Sequence, residues 1–463
     1  MHSYSSKPTF EKLDDIKNKK ITIMGLGLNG GGEACVRFFL KHGAFVTVTD
    51  LKTETELKTT IDNLEKDSSI DKNCLKYVLG KHELCDFENA DCVIKNPGVK
   101  FEGNKFLKVA KNIETDLSLF LHFSKSPIIA VTGSKGKSST VSAIHYILQQ
   151  GGFKSFLGGN ITVSPLNFLD KTDENTPVVL ELSSWQLSDL CGRKLLKPKI
   201  AVITLIVPDH QNWYHSMEKY VADKKLIYAD QDKDCFTVCN ADDEWGKVFA
   251  QETQAQVIWY GEGKNENLIN ALSVPGKHMK TNVTIAALVC KLFGMNEKLI
   301  LKASKTFPGI EHRLEYFHSY KNKNCTFNFY NDSASTVPES TSAALDAFEN
   351  DIFLVTGGTD KECDFSSLAK NIHKAKKIFL LAGTGTDKLI TLLKERKVNY
   401  SKPYDNVQSL LTELKGTLIK EAQEKYADTN VTILFSPGAT SFGMFKNEFD
   451  RGNIWKHLVK QMF

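Results

Sequence analysis

The chain has 463 residues, a net charge of +4, 41% hydrophobic and 25% charged residues, a globular balance whose length asks for about three domains at roughly 150 residues each. The mild charge contains no long Lys/Arg block, so nucleic acid is not an obvious partner. The polar start MHSYSSKPTFEKLDDIKNKK lacks the apolar core of a signal peptide, and no later run is long enough to span a bilayer, which points to a soluble cytoplasmic protein without membrane insertion.

In the first segment, ITIMGLGLNGGGEACVRFFLKHGAFVTVTD (21–50) reads as strand, glycine turn, helix, strand and an acidic end. Gly25, Gly27 and Gly30 form G-x-G-x-x-G, and Asp50 closes the next strand. Such glycines let a backbone approach a phosphate at a helix N-terminus, and the acid takes a ribose hydroxyl. A third strand is expected in ADCVIKNPGV, ending at Asn96-Pro97-Gly98.

The second segment starts near Pro127. PIIAVT is an apolar strand, VSAIHYILQQGG a helix, and GSKGKSST (133–140) lies between them. A phosphate loop usually reads G-x-x-x-x-G-K-[ST], but the position of its first glycine holds Val131. The chemical requirements are still met. Gly133 and Gly136 allow the backbone N–H groups of Ser134 and Lys135 to converge, Lys137 supplies charge, and Ser138 and Ser139 supply hydroxyls for Mg²⁺. TPVVLELSSWQLS and KPKIAVITLIVPDH are further strands with polar ends, where a parallel, doubly wound sheet places its ligands. Of ten scattered cysteines only Cys235 and Cys239, in CFTVC, stand close, and no second ligand pair completes a zinc site, so reduced structural thiols are expected. The third segment opens near Pro308, with strands in CTFNFYND, DIFLVTGG, KKIFLLAG and VTILFSPG, each ending in Gly, Ser or Asp.

The shortened loop, with GGN (158–160), ELSSWQL (181–187), PDH (208–210), YVADKKL (220–226), EHR (311–313) and YNDSAST (330–336), resembles the Mur ligases over nearly the whole chain. That family makes amide bonds with ATP in peptidoglycan synthesis. The NDSxxT stretch and SPGATSFGMFKNEFDRG are similar to its D-glutamate-adding branch, whose substrates are UDP-N-acetylmuramoyl-L-alanine and D-glutamate. The D-N-P-R signature of the diaminopimelate-adding branch is absent from the sequence.

The resemblance implies an α/β chain of three domains. Residues 1–125 would form a Rossmann-like uridine-nucleotide domain, 126–308 a central ATP-binding sheet, and 309–463 a Rossmann-like domain for D-glutamate that also closes on ATP. A monomer is expected. Lys137 would sit on the β/γ-phosphates and Ser138 on the first of two Mg²⁺ ions, with Glu181 on the second. His210 would be a metal ligand or substrate contact. Gly27, Leu28, Asn29, Asp50, Leu51 and Gly98 match the uridine-nucleotide site, and Asn160 and Ser183 the muramoyl contacts. Asn282, Arg313 and Asp332 match ATP contacts, Asp332 on the ribose. Thr336, Lys361, Ser441 and Phe442 match positions that hold D-glutamate, a dicarboxylate suited to a lysine and hydroxyls.

Tyr220 and Lys224 stand four apart, on one side of a helix, with Lys225 pointing elsewhere. Residue chemistry alone makes Lys224 a surface lysine paired with Asp223 or Glu218. The resemblance makes it a lysine carbamylated by CO₂, an anion with the oxygens Mg²⁺ prefers. Three positions depart from the family pattern: Ala334 and Lys52 replace a lysine and an arginine, and Met279 leaves Asn282 as the adenine-side amide. A nicotinamide oxidoreductase, an ATP-driven switch and a sister ligase for another amino acid remain as rival readings.

Overall fold

The computed structural model of the chain describes residues 4–161, 163–264, 268–269, 272, 274–323, 325–424 and 430–463. Three sheets follow one another along the chain. The first contains β1 (Lys20–Met24), β2 (Phe45–Asp50), β3 (Leu75–Leu79), β4 (Cys92–Lys95) and β5 (Ile113–Glu114), all parallel in the order β3-β2-β1-β4-β5. Central β1 is covered on both faces, with Ile23 and Met24 in separate apolar clusters, so it reads as a continuous apolar run. The strand expected third in the chain is β4, because β3 intervenes. β3 is an edge strand with half-buried side chains, so neither an apolar run nor clean alternation marks it.

The second sheet contains β6 (Ile128–Thr132), β7 (Phe156–Gly159), β8 (Val178–Glu181), β9 (Ile200–Ile203), β10 (Phe236–Asn240) and β11 (Gln256–Tyr260), all parallel in the order β11-β10-β9-β6-β8-β7. From β6 the chain builds first towards β7 and later towards β9 on the other side. The C-terminal end of β6 is therefore a switch point, where parallel sheets open a crevice.

The third sheet contains β12 (Glu315–Asn322), β13 (Cys325–Asn331), β14 (Ile352–Thr356), β15 (Ala375–Leu381), β16 (Pro403–Tyr404) and β17 (Asn430–Phe435), in the order β12-β13-β17-β14-β15-β16. Its strands are parallel except β12, which pairs antiparallel with β13 and departs from a purely Rossmann-like arrangement. β12 is an edge strand that mixes polar and aromatic residues, EYFHSYKN, without the apolar run or clean alternation that would mark it.

The chain divides into two compact units, Met1–Asn270 with Asn282–Ser304, and Ala271–Thr281 with Lys305–Phe463. The first unit holds two sheets that share one core, in which Phe38, Phe39 and Leu40 join a cluster with Phe120, Leu166 and Phe168. Two buried ion pairs, Lys95–Asp189 at 2.9 Å and Arg193–Glu114 at 2.8 Å, tie these sheets together. Removing one member would strand a buried charge. In the second unit, Phe353 and Val355 of β14 face the cluster around Trp455, while Ile352 and Leu354 face the opposite one, the two-residue alternation of a strand covered on both sides. Among the described residues no helix is long and apolar enough to cross a membrane.

Candidate active site

Val131 is fully buried in β6, paired with Glu181 of β8 and Val202 of β9, so the strand continues where longer phosphate loops have already begun to turn. The turn starts at Gly133, whose φ is +144°; a Cβ there would lie 1.9 Å from Thr204 Oγ1. Gly136, at φ +89°, precedes the helix Lys137–Gln150, and a Cβ there would lie 2.7 Å from Asn282 Oδ1. Both positions require glycine through conformation and through close approach.

The residues after β9 hold the loop. Thr204 Oγ1 donates to Lys135 O at 2.7 Å, and Ser134 Oγ donates to Val207 O at 2.8 Å while accepting from Tyr220 Oη at 3.0 Å. Lys137 Nζ donates to Gly133 O at 2.9 Å and Ser134 O at 3.1 Å, folded back on its own loop. Burial lowers its proton affinity.

Lys224 lies in the helix Met217–Lys225 and is only 1% exposed, which rules out the surface-lysine reading. Its Nζ donates to Gly133 O at 2.9 Å and sits 4.6 Å from the Tyr220 ring centre. Burial, and next the charge of Lys137, bring its pKa down to about 7. Lys225 instead pairs with Glu252 at 2.7 Å on the outside. The four-residue spacing thus placed Tyr220 and Lys224 together.

Glu181 ends β8 and is buried. Its Oε1 accepts from Asn160 Nδ2 at 2.9 Å, whereas Oε2 is buried with no hydrogen-bond partner. A buried carboxylate oxygen left unpaired is costly and fits a cation. Among the described residues no three His, Cys, Asp or Glu side chains gather into a metal cluster. His210 is exposed at φ +50° and packs on Trp185, ring centres 4.9 Å apart. Ser138 is half-buried at the helix start. Ser183 caps the helix Ser184–Ser188, its Oγ accepting from Gln186 N, in an S-x-x-Q capping box.

At the first sheet, Asp50 Oδ2 accepts from Gly27 N at 3.1 Å and Oδ1 from Lys52 N at 2.9 Å, which joins the glycine turn to the end of β2. Asn29 is exposed, and Leu28 and Leu51 are 56% and 68% exposed, a large apolar surface on two neighbouring loops. Gly98 N donates to Asn96 Oδ1 at 3.1 Å. Asn96 and Pro97 line a small open cleft with Gly25, Gly31 and Lys95.

In the second unit, the loops at the strand ends are stitched together. Gly438 N donates to Ser335 O at 3.0 Å, Thr359 and Thr440 exchange backbone hydrogen bonds, and Thr359 Oγ1 donates to Phe442 O. These bonds bring together the loops bearing half-buried Thr336, exposed Lys361, buried Ser441 and Phe442, which is 65% exposed. Arg313 is exposed and adjoins Leu314, which bonds Asp332, but Asp332 itself is buried. Its carboxylate accepts from Leu314 N at 3.2 Å, Ser335 Oγ at 2.5 Å and Ser436 Oγ at 2.6 Å, and burial raises its pKa to about 6.

Sequence reasoning missed Thr204, Ser436 and Arg451. Thr204 carried a signal, a hydroxyl within the apolar run IAVITLIV, whereas the burial of Arg451 carries none in the sequence.

Known proteins resemble the chain over most of its length. Residues 19–115 match the Mur ligase MurD-like N-terminal domain, and residues 131–301 the Mur ligase middle domain. The UDP-N-acetylmuramoylalanine--D-glutamate ligase of Treponema pallidum (strain Nichols) is 39% identical, covering 97% of this chain and 98% of its own. The enzyme of that name from Borreliella afzelii (strain PKo) is 40% identical over 97% of this chain and 100% of its own. Among solved structures, UDP-N-acetylmuramate-alanine ligase MurC from Thermotoga maritima is similar in fold, with a TM-score of 0.57 at 18% identity, covering 96% of this chain and 100% of its own. MurF ligase from the same organism, in complex with ADP, has a TM-score of 0.51 at 12% identity over 98% of both chains. Relatives matched from end to end at this identity settle the assignment: the chain belongs to the Mur ligase family, in the branch of the UDP-N-acetylmuramoylalanine--D-glutamate ligases.

Proposed function

We infer that the chain is an ATP-dependent ligase that joins D-glutamate to UDP-N-acetylmuramoyl-L-alanine in peptidoglycan precursor synthesis. The observation that carries this reading is local. A phosphate loop, a buried carboxylate oxygen without a partner and a buried lysine of lowered proton affinity meet at the end of β6.

In the proposed reaction, an oxygen of the L-alanyl carboxylate attacks the γ-phosphorus of ATP and ADP leaves. The neutral amine of D-glutamate then attacks the acyl carbon, and phosphate departs from the tetrahedral intermediate as the amine gives up a proton. The protein's task is to neutralise oxyanions and hold two anionic partners together. Lys137 swings from the Gly133 and Ser134 carbonyls onto the phosphates, which the loop N–H groups cradle. Ser138, Glu181 and a carbamylated Lys224 are the groups that would hold two Mg²⁺ ions, with His210 as a further ligand or substrate contact. The ions supply charge neutralisation at the phosphate oxygens. Asn160 keeps Glu181 oriented and faces the muramoyl part, next to Ser183.

Residues 1–125 take the uridine nucleotide, with Gly27, Leu28, Asn29, Asp50, Leu51 and Gly98 at the site. Residues 126–308 bind ATP, including Asn282. Residues 309–463 place Thr336, Lys361, Ser441 and Phe442 around D-glutamate and contribute Arg313 to ATP. Asp332 supports that site through its turn, and its three internal hydrogen bonds weaken the case for a direct ribose contact. Free cysteines suit the reducing cytoplasm, and a monomer is proposed.

The test is phosphate release from ATP with UDP-N-acetylmuramoyl-L-alanine and one amino acid at a time. Release stimulated by D-glutamate alone is expected. Release indifferent to D-glutamate would overturn the reading in favour of an ATP-driven switch.

A further inference from the structure

The stretch SPGATSFGMFKNEFDRG ends in Arg451 and Gly452, which the reaction above does not use. Both lie near the start of the helix Glu448–Met462. Arg451 is 1% exposed and directs its two terminal nitrogens at main-chain carbonyls of different loops. Nη1 donates to Ala439 O at 2.9 Å and Nη2 to Ser333 O at 2.8 Å. A Cβ on Gly358 would lie 3.7 Å from Nη1 and 2.6 Å from Thr440 O, so a third loop closes over the guanidinium. Gly452 lets the helix press on the same turn, since a Cβ there would lie 2.2 Å from both Ser333 Oγ and His312 Nδ1.

Burying a cation to satisfy two carbonyls is an expensive arrangement for stability alone. A guanidinium adds a rigid planar fork that fixes the separation of its acceptors. Each of the two loops it bonds, and the third that runs beside it, carries a proposed D-glutamate contact a few residues away. Ser333 precedes Thr336, Gly358 precedes Lys361, and Ala439 precedes Ser441. D-Glutamate has two carboxylates at a limited separation, so its affinity depends on how far apart these loops stand.

We propose that Arg451 is a positioning residue for the D-glutamate site, its fork setting the spacing of the loops that carry Thr336 and Ser441, the latter joined to the Lys361 loop through Thr359 and Thr440. The proposal rests on the reading that these residues hold D-glutamate.

Steady-state kinetics with each substrate varied in turn tests it on wild type, Arg451→Lys and Arg451→Ala. The lysine keeps the charge without the fork. It is expected to raise KM for D-glutamate roughly tenfold or more, the effect of losing a charge-assisted hydrogen bond, with KM for ATP and for the UDP-linked substrate unchanged. Methylguanidinium added to Arg451→Ala should recover part of the D-glutamate affinity. If Arg451→Ala fails to fold, the lysine variant still decides. A lower Tm for Arg451→Lys with all three KM values unchanged, or all three raised equally, would assign Arg451 to the fold alone and overturn the proposal. A wild-type enzyme that ignores D-glutamate would overturn the underlying reading, and this one with it.

Discussion

Lys137 and Lys224 donate to one and the same oxygen, the carbonyl of Gly133, each from 2.9 Å. Burial lowers the proton affinity of both, and the charge of Lys137 lowers that of Lys224 further. The phosphate loop's lysine thus lies against its own backbone, beside a second lysine of lowered proton affinity.

Lys137 should be dispensable for folding and indispensable for turnover. Its ammonium bonds two loop carbonyls. Lys137→Ala is expected to fold normally and to lose roughly a hundred- to a thousand-fold in phosphate release, the cost of one preorganised oxyanion donor. Circular dichroism and a phosphate assay check the two halves. Near-normal turnover would remove Lys137 from the chemistry.

The loop's unusual spacing gives a second prediction. Val131→Gly would restore the longer glycine pattern, yet Val131 is fully buried in a central strand. The substitution is expected to cost roughly 2–4 kcal/mol of stability through a cavity and a freer backbone, without improving nucleotide affinity. Denaturant melts and ATP titration would show it. Tighter ATP binding in the variant would mean that the strand end is part of a conventional loop.

The glycine positions and the doubly covered strands were legible because backbone conformation and burial are written locally, in GSKGKS and in runs such as IIAVT. Tertiary relations were less so. The bond from Lys224 to Gly133 spans 91 residues, and that from Ser436 to Asp332 spans 104. The local charge pattern alone pointed Lys224 to the surface, whereas its side chain is buried against Gly133. For Asp332 the resemblance named a nucleotide contact, and the structure adds the serines that already occupy its carboxylate. Ser183 bore a capping-box signal three residues before Gln186, which the functional motif around it obscured. Edge strands β3 and β12 lacked a period because their faces are only partly covered.

Lys224 should respond to CO₂. Carbamylation joins the neutral amine to CO₂ and releases a proton, so it needs the deprotonated form. With a pKa of about 7, that fraction grows as pH rises through neutrality, where an ordinary lysine would stay almost wholly charged. Bicarbonate-dependent activity is therefore expected to rise through pH 7. Lys224→Ala should lose most activity and regain part with acetate, while Lys225→Ala, a surface pair with Glu252, should change little. Full activity of Lys224→Ala in CO₂-free buffer would refute the carbamate.

Asp332 gives a stability signature. Its folded pKa is raised to about 6 against an ordinary value of 3.8, so the folded state holds the proton more tightly than the unfolded one. Its contribution is fully present below about pH 4 and is lost as pH rises through 6. Urea midpoints of wild type and Asp332→Asn, compared from pH 4 to 7, should move in the variant's favour as pH rises. A difference that is flat across this range would mean that the carboxyl keeps its ordinary pKa.

The central claim is tested most directly by the mass of the product. The purified chain would be incubated with ATP, Mg²⁺, UDP-N-acetylmuramoyl-L-alanine and either D- or L-glutamate, and the UDP-linked species read by mass spectrometry. One added glutamyl residue with D-glutamate, none with L-glutamate, and one ADP formed per bond made is the predicted result. ATP consumed with no adduct, or an adduct formed equally well from L-glutamate, would contradict the account.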